Sequence, residues 1–247
     1  MSFDACEKVR YVELTPREFR ARIKAAPIAY LPLGTLEWHG EHLPLGSDGL
    51  QSSGVMELLA HKAGGIVLPM LFLGPDLNES VNGTDFYGMD IYGFRDQSPT
   101  QLDGSAYWVP DDLFISLLRA ILARLKRAGF RIVVAHGHGP SNHCFKQYKA
   151  EWEKEFGLSL FHMWRDDESD GMGIQTDHAA ANETSIMMHL HPETVKMDQL
   201  HSDPAVWPVA VSGDDPRVHA SAQKGRRIVG QQTERMCKLL GQALITL

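Results

Sequence analysis

The chain has 247 residues, 43% apolar and 22% charged, and its 22 Gly and 13 Pro recur without a period, which excludes a disordered, collagen-like or low-complexity protein. Its 24 basic residues against 31 acidic ones leave a net charge of −7, so it carries no electrostatic footprint for nucleic acid or an anionic membrane surface. Cys6, Cys144 and Cys237 are too widely spaced for a disulfide framework or a zinc knuckle and read as free thiols of a reducing cytoplasm. No apolar stretch approaches the ~20 residues of a membrane span, and Met1-Ser2-Phe3-Asp4 lacks the basic-then-apolar pattern of a secretory signal.

In chain order, Thr15-Pro16-Arg17-Glu18 predicts a helix start, with Thr15 as N-cap, Pro16 at the first helical position and acid in the first turn. The apolar run from Pro27 to Gly34 suits a buried strand, in which Pro32 predicts an edge position or a local irregularity. A His-rich polar segment reaches Asp48. A helix is expected from Gly49 to about Ala63, stopped by Gly64-Gly65, with Ile66 to Pro69 as the next strand. Residues 74 to 108 form a long irregular stretch, rich in Gly and in Phe86, Tyr87, Tyr92, Phe94, Tyr107 and Trp108. Loops of that length are functional or disordered, and the aromatic content argues against disorder.

Pro110-Asp111-Asp112 opens the clearest helix, with Phe114, Leu118, Ile121, Leu122 and Leu125 as its apolar stripe and Gly129 as its C-cap. Ile132 to Ala135 is a continuous buried strand. Ser141 or Asn142 is expected to cap a helix ending at Gly157, followed by a strand from Leu158 to Met163 and an acidic loop over 164–177. Asp177 is expected to cap a helix running to Leu190, and a last helix spans about Ser221 to Leu244. Strands alternating with helices, without a repeat or a linker, predict one α/β domain over residues 1–247 with a mainly parallel central sheet.

Three clusters of histidine and acid follow strand ends, where an open α/β sheet places its active site. The first is Glu37-Trp38-His39-Gly40-Glu41-His42-Leu43-Pro44 with Asp48 beyond it. Glu37 and His39, two apart in extended backbone, point to the same side, and their donor atoms are those of hydrolytic Zn, Mn or Fe sites. Asp48 could close the chelate and bridge two ions; the bland alternative is a surface loop of acids and histidines. The second is His136-Gly137-His138-Gly139-Pro140-Ser141-Asn142-His143. Glycine on both sides lets the backbone at His138 approach a ligand closely, whereas His136 reads as packed at the strand end and His143 as a partly buried first-turn residue. The third runs from Asp177-His178 to Glu183-Thr184-Ser185. His178 suits proton transfer near neutrality, and Glu183 either binds metal, orients water or holds His178. A solvated helix N-terminus is the bland alternative there. His189 and His191 close that helix at its negative dipole end and read as structural.

Pro32-Leu33-Gly34-Thr35-Leu36-Glu37-Trp38-His39-Gly40-Glu41-His42-Leu43-Pro44-Leu45-Gly46-Ser47-Asp48 resembles the signature of the creatininase (creatinine amidohydrolase) family. Asn82-Gly83-Thr84, then Gly137-His138-Gly139 with Asn142, then His178-Ala179 with Glu183-Thr184-Ser185 resemble its later motifs in the expected order. The resemblance implies a three-layer α/β sandwich assembled as a homo-oligomer, a hexamer in much of the family. It implies Glu37, His39, Asp48 and His138 as metal ligands with Asp48 bridging two divalent ions, His178 as the proton-transfer residue, and Glu183 as its partner or a further ligand. Family members hydrolyse cyclic amides, formamides or peptide bonds, and some resemble hydrolases of cyclic diketones from inositol breakdown. Three departures stand out. Trp38 and Glu41 replace a frequent Gln and Pro, Asn142 lies four residues after His138 instead of three, and Pro140 stands where creatinine-hydrolysing members carry a carboxylate.

The expectation is therefore a cytoplasmic, metal-dependent hydrolase, most simply an amidohydrolase. It would carry one or two Zn or Mn ions, with Fe as a further candidate, and act on a small polar molecule other than creatinine, without nucleic-acid or membrane partners. Segment 86–108 is expected to form a substrate wall or lid, or to pack between subunits. The alternatives are a C–C hydrolase of a cyclic polyol diketone and a metal-stabilised binding protein without turnover.

Overall fold

The computed structural model describes residues 8–93, 99–163 and 171–247; Cys6, Phe94 and the 164–170 part of the expected acidic loop lie outside them. Helix α1 (Pro16–Ala25) starts as expected: Thr15 accepts from the Glu18 amide while the Glu18 carboxylate accepts from the Thr15 amide at 2.7 Å, a reciprocal cap. Strand β1 (Ile28–Leu33), helix α2 (Ser47–Ala63) and strand β2 (Ile66–Val67) follow. Helix α2 begins two residues before the expected Gly49, which puts Asp48 inside its first turn.

Residues 74–108 are less irregular than expected. They contain a hairpin of β3 (Asn78–Val81) and β4 (Thr84–Tyr87), then the short helix α3 (Met89–Tyr92). The cause is the two-residue turn Asn82-Gly83, with φ of 52° and 80°, the positive-φ pair that matches the twist of a tight hairpin.

Helix α4 (Asp111–Ala128) ends on Gly129 in left-handed conformation, and β5 (Ile132–Gly137) follows. Helix α5 (Gly139–Phe156) begins earlier than the expected Ser141 or Asn142 cap. Pro140 is the reason, because its fixed φ suits the first helical turn. Strand β6 (Ser159–His162) and helices α6 (Ala181–Leu190), α7 (Pro216–His219) and α8 (Ala222–Ile245) complete the order. The N-cap position of α6 is Ala180, yet Asp177 still caps it from outside, accepting from the amides of Asn182 at 2.7 Å and Glu183 at 3.1 Å.

Four strands form a parallel sheet in the order β2-β1-β5-β6. Pro32 therefore lies in a central strand, not at an edge, and the irregularity sits opposite it. Beyond Val67 the neighbouring chain bonds β1 only through Leu68 N to the Tyr30 carbonyl and Leu71 N to the Pro32 carbonyl, leaving no ladder position that needs the missing proline N–H.

Alternation along the strands sorts the core into two layers. Ile28, Tyr30, Ile132 and Val134 pack with α2, α6 and α8 through Val55, Met56, Ile186, Ile228 and Met236. Ala29, Leu31, Leu33, Val133 and Ala135 pack on the other face with α4 and α5 through Phe114, Leu118, Phe145 and Trp152. The result is a three-layer α/β sandwich. Among the described residues no helix is long and apolar enough to cross a membrane.

Candidate functional site

Because β1 and β5 are adjacent and parallel, their carboxyl ends deliver the first two clusters to one place. Gly137 closes β5 against β1, and a Cβ there would collide with the Leu33 carbonyl, so glycine alone fits. The side chain of Asn142 brackets that residue: its Oδ1 accepts from the Gly137 amide at 2.9 Å and its amide donates to the Gly137 carbonyl. His138 is thus fixed as the residue entering α5. The third cluster arrives from α6. His178 is anchored by paired backbone bonds with Ser212 at 2.9 and 2.8 Å, and Ala179, Ala180 and Ala181 are small enough to be fully buried beneath the site.

All six candidate residues, Glu37, His39, Asp48, His138, His178 and Glu183, converge, and Asp48 is the hub. Its Oδ2 lies 3.0 Å from His138 Nδ1, which is also 3.4 Å from Glu37 Oε2. Its Oδ1 lies 3.3 Å from His39 Nε2, which is 3.6 Å from Glu183 Oε2. The ligand atoms of Glu37, Asp48 and His138 fall within 4.8 Å of one another, as do those of His39, Asp48 and Glu183 and those of Glu37, His39 and His178. His39 Nδ1 sits 3.0 Å from the Glu37 carbonyl, which can only accept, so Nδ1 carries a proton and Nε2 is the nitrogen turned to the carboxylates. His178 Nε2 donates in the same way to the Trp38 carbonyl at 2.7 Å, and the His178 ring lies 4.3 Å from that of His39.

Burial governs the electrostatics. Glu37, Asp48 and Glu183 are at most 4% exposed. Burial pushes Glu37 up to about 7 and holds Glu183 well above the usual carboxylate range. Burial alone would raise Asp48 too, but the facing imidazoles of His39 and His138 keep it well below its ordinary value. Burial works against charge on His39 as well, yet Asp48, Glu183 and Glu37 carry it up to about 10. His178 is driven down to about 3, first by burial and then by His39, and is a neutral imidazole. Glu37, Asp48, His138, His178 and Glu183 line a cavity of about 650 Å³ whose lining, among the described residues, contains neither lysine nor arginine. Three buried carboxylates with no lysine or arginine among the described lining, beside imidazole nitrogens that a metal ion can take in place of a proton, are a donor set that fits divalent cations.

The other histidines serve the fold. His136 Nδ1 meets Ser52 Oγ at 3.1 Å at the strand end, His42 Nε2 meets Thr184 Oγ at 2.8 Å, and His191 Nε2 donates to the Leu50 carbonyl at 3.1 Å. His143 is exposed rather than partly buried, because the earlier start of α5 turns it outward. Two residues at the site are invisible to the sequence reading. Gln175 Nε2 donates to Asp48 Oδ1 at 2.8 Å, and Asp76 places Oδ2 3.3 Å from His138 Nε2. Gly74-Pro75-Asp76 reads as an ordinary turn, and nothing in the sequence marks Gln175. Within segment 86–108, Gly88, Met89 and Tyr92 line the cavity, as expected of a substrate wall.

The family profile described as "Creatininase: Creatinine amidohydrolase" matches residues 12–240. The chain is 26% identical over 219 residues to creatinine amidohydrolase of Pseudomonas putida, covering 79% of this chain and 77% of that one. It is 25% identical over 238 residues to the mycofactocin precursor peptide peptidase of Mycobacterium ulcerans, covering 84% and 82%. It is also 24% identical over 197 residues to the 3-dehydro-scyllo-inosose hydrolase of Thermotoga maritima, covering 75% of this chain but only 57% of the relative. Among solved structures, a creatinine amidohydrolase superposes with a TM-score of 0.72 at 22% identity over 96% of this chain and 98% of its own. Mutant creatininase of a Zn–Zn type and creatininase with Mn superpose at 0.72 and 0.69, each 21% identical over 96% of this chain and 99% of theirs. With its fold, its cluster of donors and a profile match across most of its length, the chain belongs to the creatininase family of hydrolases.

Proposed function

We propose that this chain is a metal-dependent hydrolase that holds two divalent ions, zinc or manganese, on a shared Asp48 and opens a carbonyl-containing bond in a small polar substrate. The observation that carries the reading is the division of Asp48, with one oxygen facing Glu37 and His138 and the other facing His39 and Glu183. Glu37, Asp48 and His138 would hold one ion; His39, Asp48 and Glu183 the other. The reading draws Glu183 from the side of His178 into the ligand set, because it stands 3.6 Å from His39 Nε2. When bound, the ions supply Lewis acidity toward the carbonyl and lower the pKa of a water toward neutrality.

The remaining work falls to the protein. His178 is neutral and its Nε2 proton is committed to Trp38, which leaves Nδ1 to accept the proton of the attacking water and return it to the departing atom. Met89, Tyr92 and Val211 on the cavity wall exclude bulk water from the reacting centre.

An amide C–N bond is the first choice of substrate, in line with the creatinine amidohydrolase to which the chain is similar. A cyclic, oxygen-rich ketone is the second reading, favoured by Pro140, which offers no side-chain donor atom in the first turn of α5 after His138 and leaves room for a chelating substrate. Negligible creatinine hydrolysis is expected on the same ground. The test is a panel of cyclic amides, formamides, short peptides and cyclic diketones given to zinc- or manganese-loaded protein, with release of amine or ammonia scored against release of new acid. Turnover abolished by chelation is the expected result. Retained metal and tight binding of one ligand, with no hydrolysis anywhere in the panel, would replace the enzyme with a binding protein.

A further inference from the structure

The loop between β2 and β3 brings Asp76 to the far side of the His138 ring. Its Oδ2 lies 3.3 Å from Nε2, with both side chains no more than 5% exposed. Among the described residues, nothing completes an aligned hydrogen bond to that nitrogen, and Asp76 Oδ2 is the carboxylate oxygen placed beside it. The opposite nitrogen, Nδ1, is the one that stands 3.0 Å from Asp48 and 3.4 Å from Glu37. Asp76 is absent from every group of donors that converge within 4.8 Å, so it faces the ring from behind and not the ion position.

Its own placement is determined by two hydrogen bonds, one of them from an indole that is itself stacked. Trp108 Nε1 donates to Oδ2 at 3.0 Å, the Leu77 amide donates to Oδ1 at 2.8 Å, and Tyr87 stacks on the Trp108 indole with centroids 4.8 Å apart. Gly88, at φ 52°, forms the wall behind it, where a Cβ would collide with both Asp76 Oδ2 and Glu37 Oε1. A buried carboxylate aimed at the distal N–H of an imidazole fixes the tautomer and ring orientation of a ligating histidine.

We propose that Asp76 is the positioning residue of His138: it receives the Nε2 proton in a hydrogen bond, turns Nδ1 toward Glu37 and Asp48, and ties the Tyr87–Trp108 wall to the metal centre. The inference rests on the two-ion reading.

The test is the two-bond proton–nitrogen spectrum of zinc-loaded protein labelled at histidine nitrogen, together with calorimetric zinc titration of metal-free wild type, D76A and D76N. We expect His138 with a protonated Nε2 and a zinc-bound Nδ1. We expect zinc affinity weakened by about 10–100-fold in D76A and partly restored in D76N, whose amide oxygen still accepts. Zinc on His138 Nε2 would overturn the inference while leaving the two-ion reading intact, and the spectrum needs no variant to fold. Wild-type affinity in folded D76A would overturn it equally. Failure of the wild type to take up zinc would bring down the two-ion reading and the inference with it.

Discussion

At the scale of single residues, Asp48 carries more of the site than any donor beside it. It is buried, it accepts from Gln175 on one oxygen, and each oxygen faces a different histidine. On the two-ion proposal, removing it takes a donor from both sets, whereas removing His39 takes one from a single set. Asp48→Ala should therefore lower the metal content of gently purified protein more than His39→Ala, measured by elemental analysis; full occupancy in Asp48→Ala would deny it the bridging role.

His178 makes the opposite prediction. Its Nε2 is engaged by the Trp38 carbonyl, so His178→Ala should keep the metal and lower turnover by roughly 10²–10⁴, the usual contribution of a general acid or base. Loss of metal in that variant would move His178 into the ligand set. Glu37, His39 and Asp48 were legible because they lie close together in one motif after a strand. Asp76 and Gln175 were not, because each reaches the site from a loop distant in sequence, and a lone Asp or Gln in a turn carries no pattern.

Among the elements, the strands and long helices follow directly from periodicity and end signals: Thr15-Pro16, Gly129 and Gly157 mark boundaries that the structure reproduces. The elements that shape the site were harder to read. Helix α5 starts early because Pro140 fits the first turn of a helix capped at His138, and the Asn82-Gly83 hairpin is a turn signal hidden in a segment that reads as loop. The joint between α6 and α8 was equally hidden, since Gly225 is an unremarkable residue in a helical run. A Cβ at that position would collide with the Ser185 carbonyl of α6, whose hydroxyl also accepts from the Ser221 amide at 3.0 Å. Gly225→Ala should push α8 away from the helix that presents Glu183. The expected cost is about 1–3 kcal/mol, typical of overpacking, read as a lower urea midpoint with an unchanged slope. Wild-type stability in Gly225→Ala would mean that the two helices separate without resistance.

Thr184 of α6 engages a buried histidine from the segment between β1 and α2, and that histidine makes stability depend on pH. His42 bonds Thr184 Oγ and is driven down to about 4, first by burial and then by His39, from an ordinary value of 6.5. Between those values the unfolded chain binds a proton at His42 that the folded chain does not. Stability is therefore full above pH 6.5 and falls as pH drops toward 4, by at most about 1.4 kcal/mol per pH unit from this group. His42→Gln should flatten that dependence between pH 7 and 5 in denaturant titrations of the metal-free protein. An unchanged slope would show that His42 is protonated in the folded state.

For the molecule as a whole, the sheet is stabilised by apolar layers on both faces, while the edge where β1 and β5 end gathers Glu37, Asp48 and Glu183 with no lysine or arginine among the described residues of the cavity lining. Such an arrangement sacrifices stability at one edge unless a cation occupies it, since a buried charge without a partner opposes folding. Ions that bind the folded chain alone add RT ln(1 + [L]/Kd), about 4 kcal/mol at a thousandfold excess over Kd. In a chain of this size each kcal/mol moves the melting midpoint by about 2–4 °C, so chelation should lower Tm by roughly 8–16 °C and added zinc or manganese should restore it. Asp48→Ala is the control, because it lacks the shared ligand: its Tm should respond little to chelator or metal. An identical response in Asp48→Ala and the wild type would place the stabilising ion elsewhere on the protein, and an unresponsive wild type would mean that its carboxylates fold in neutral form and hold no ion at all.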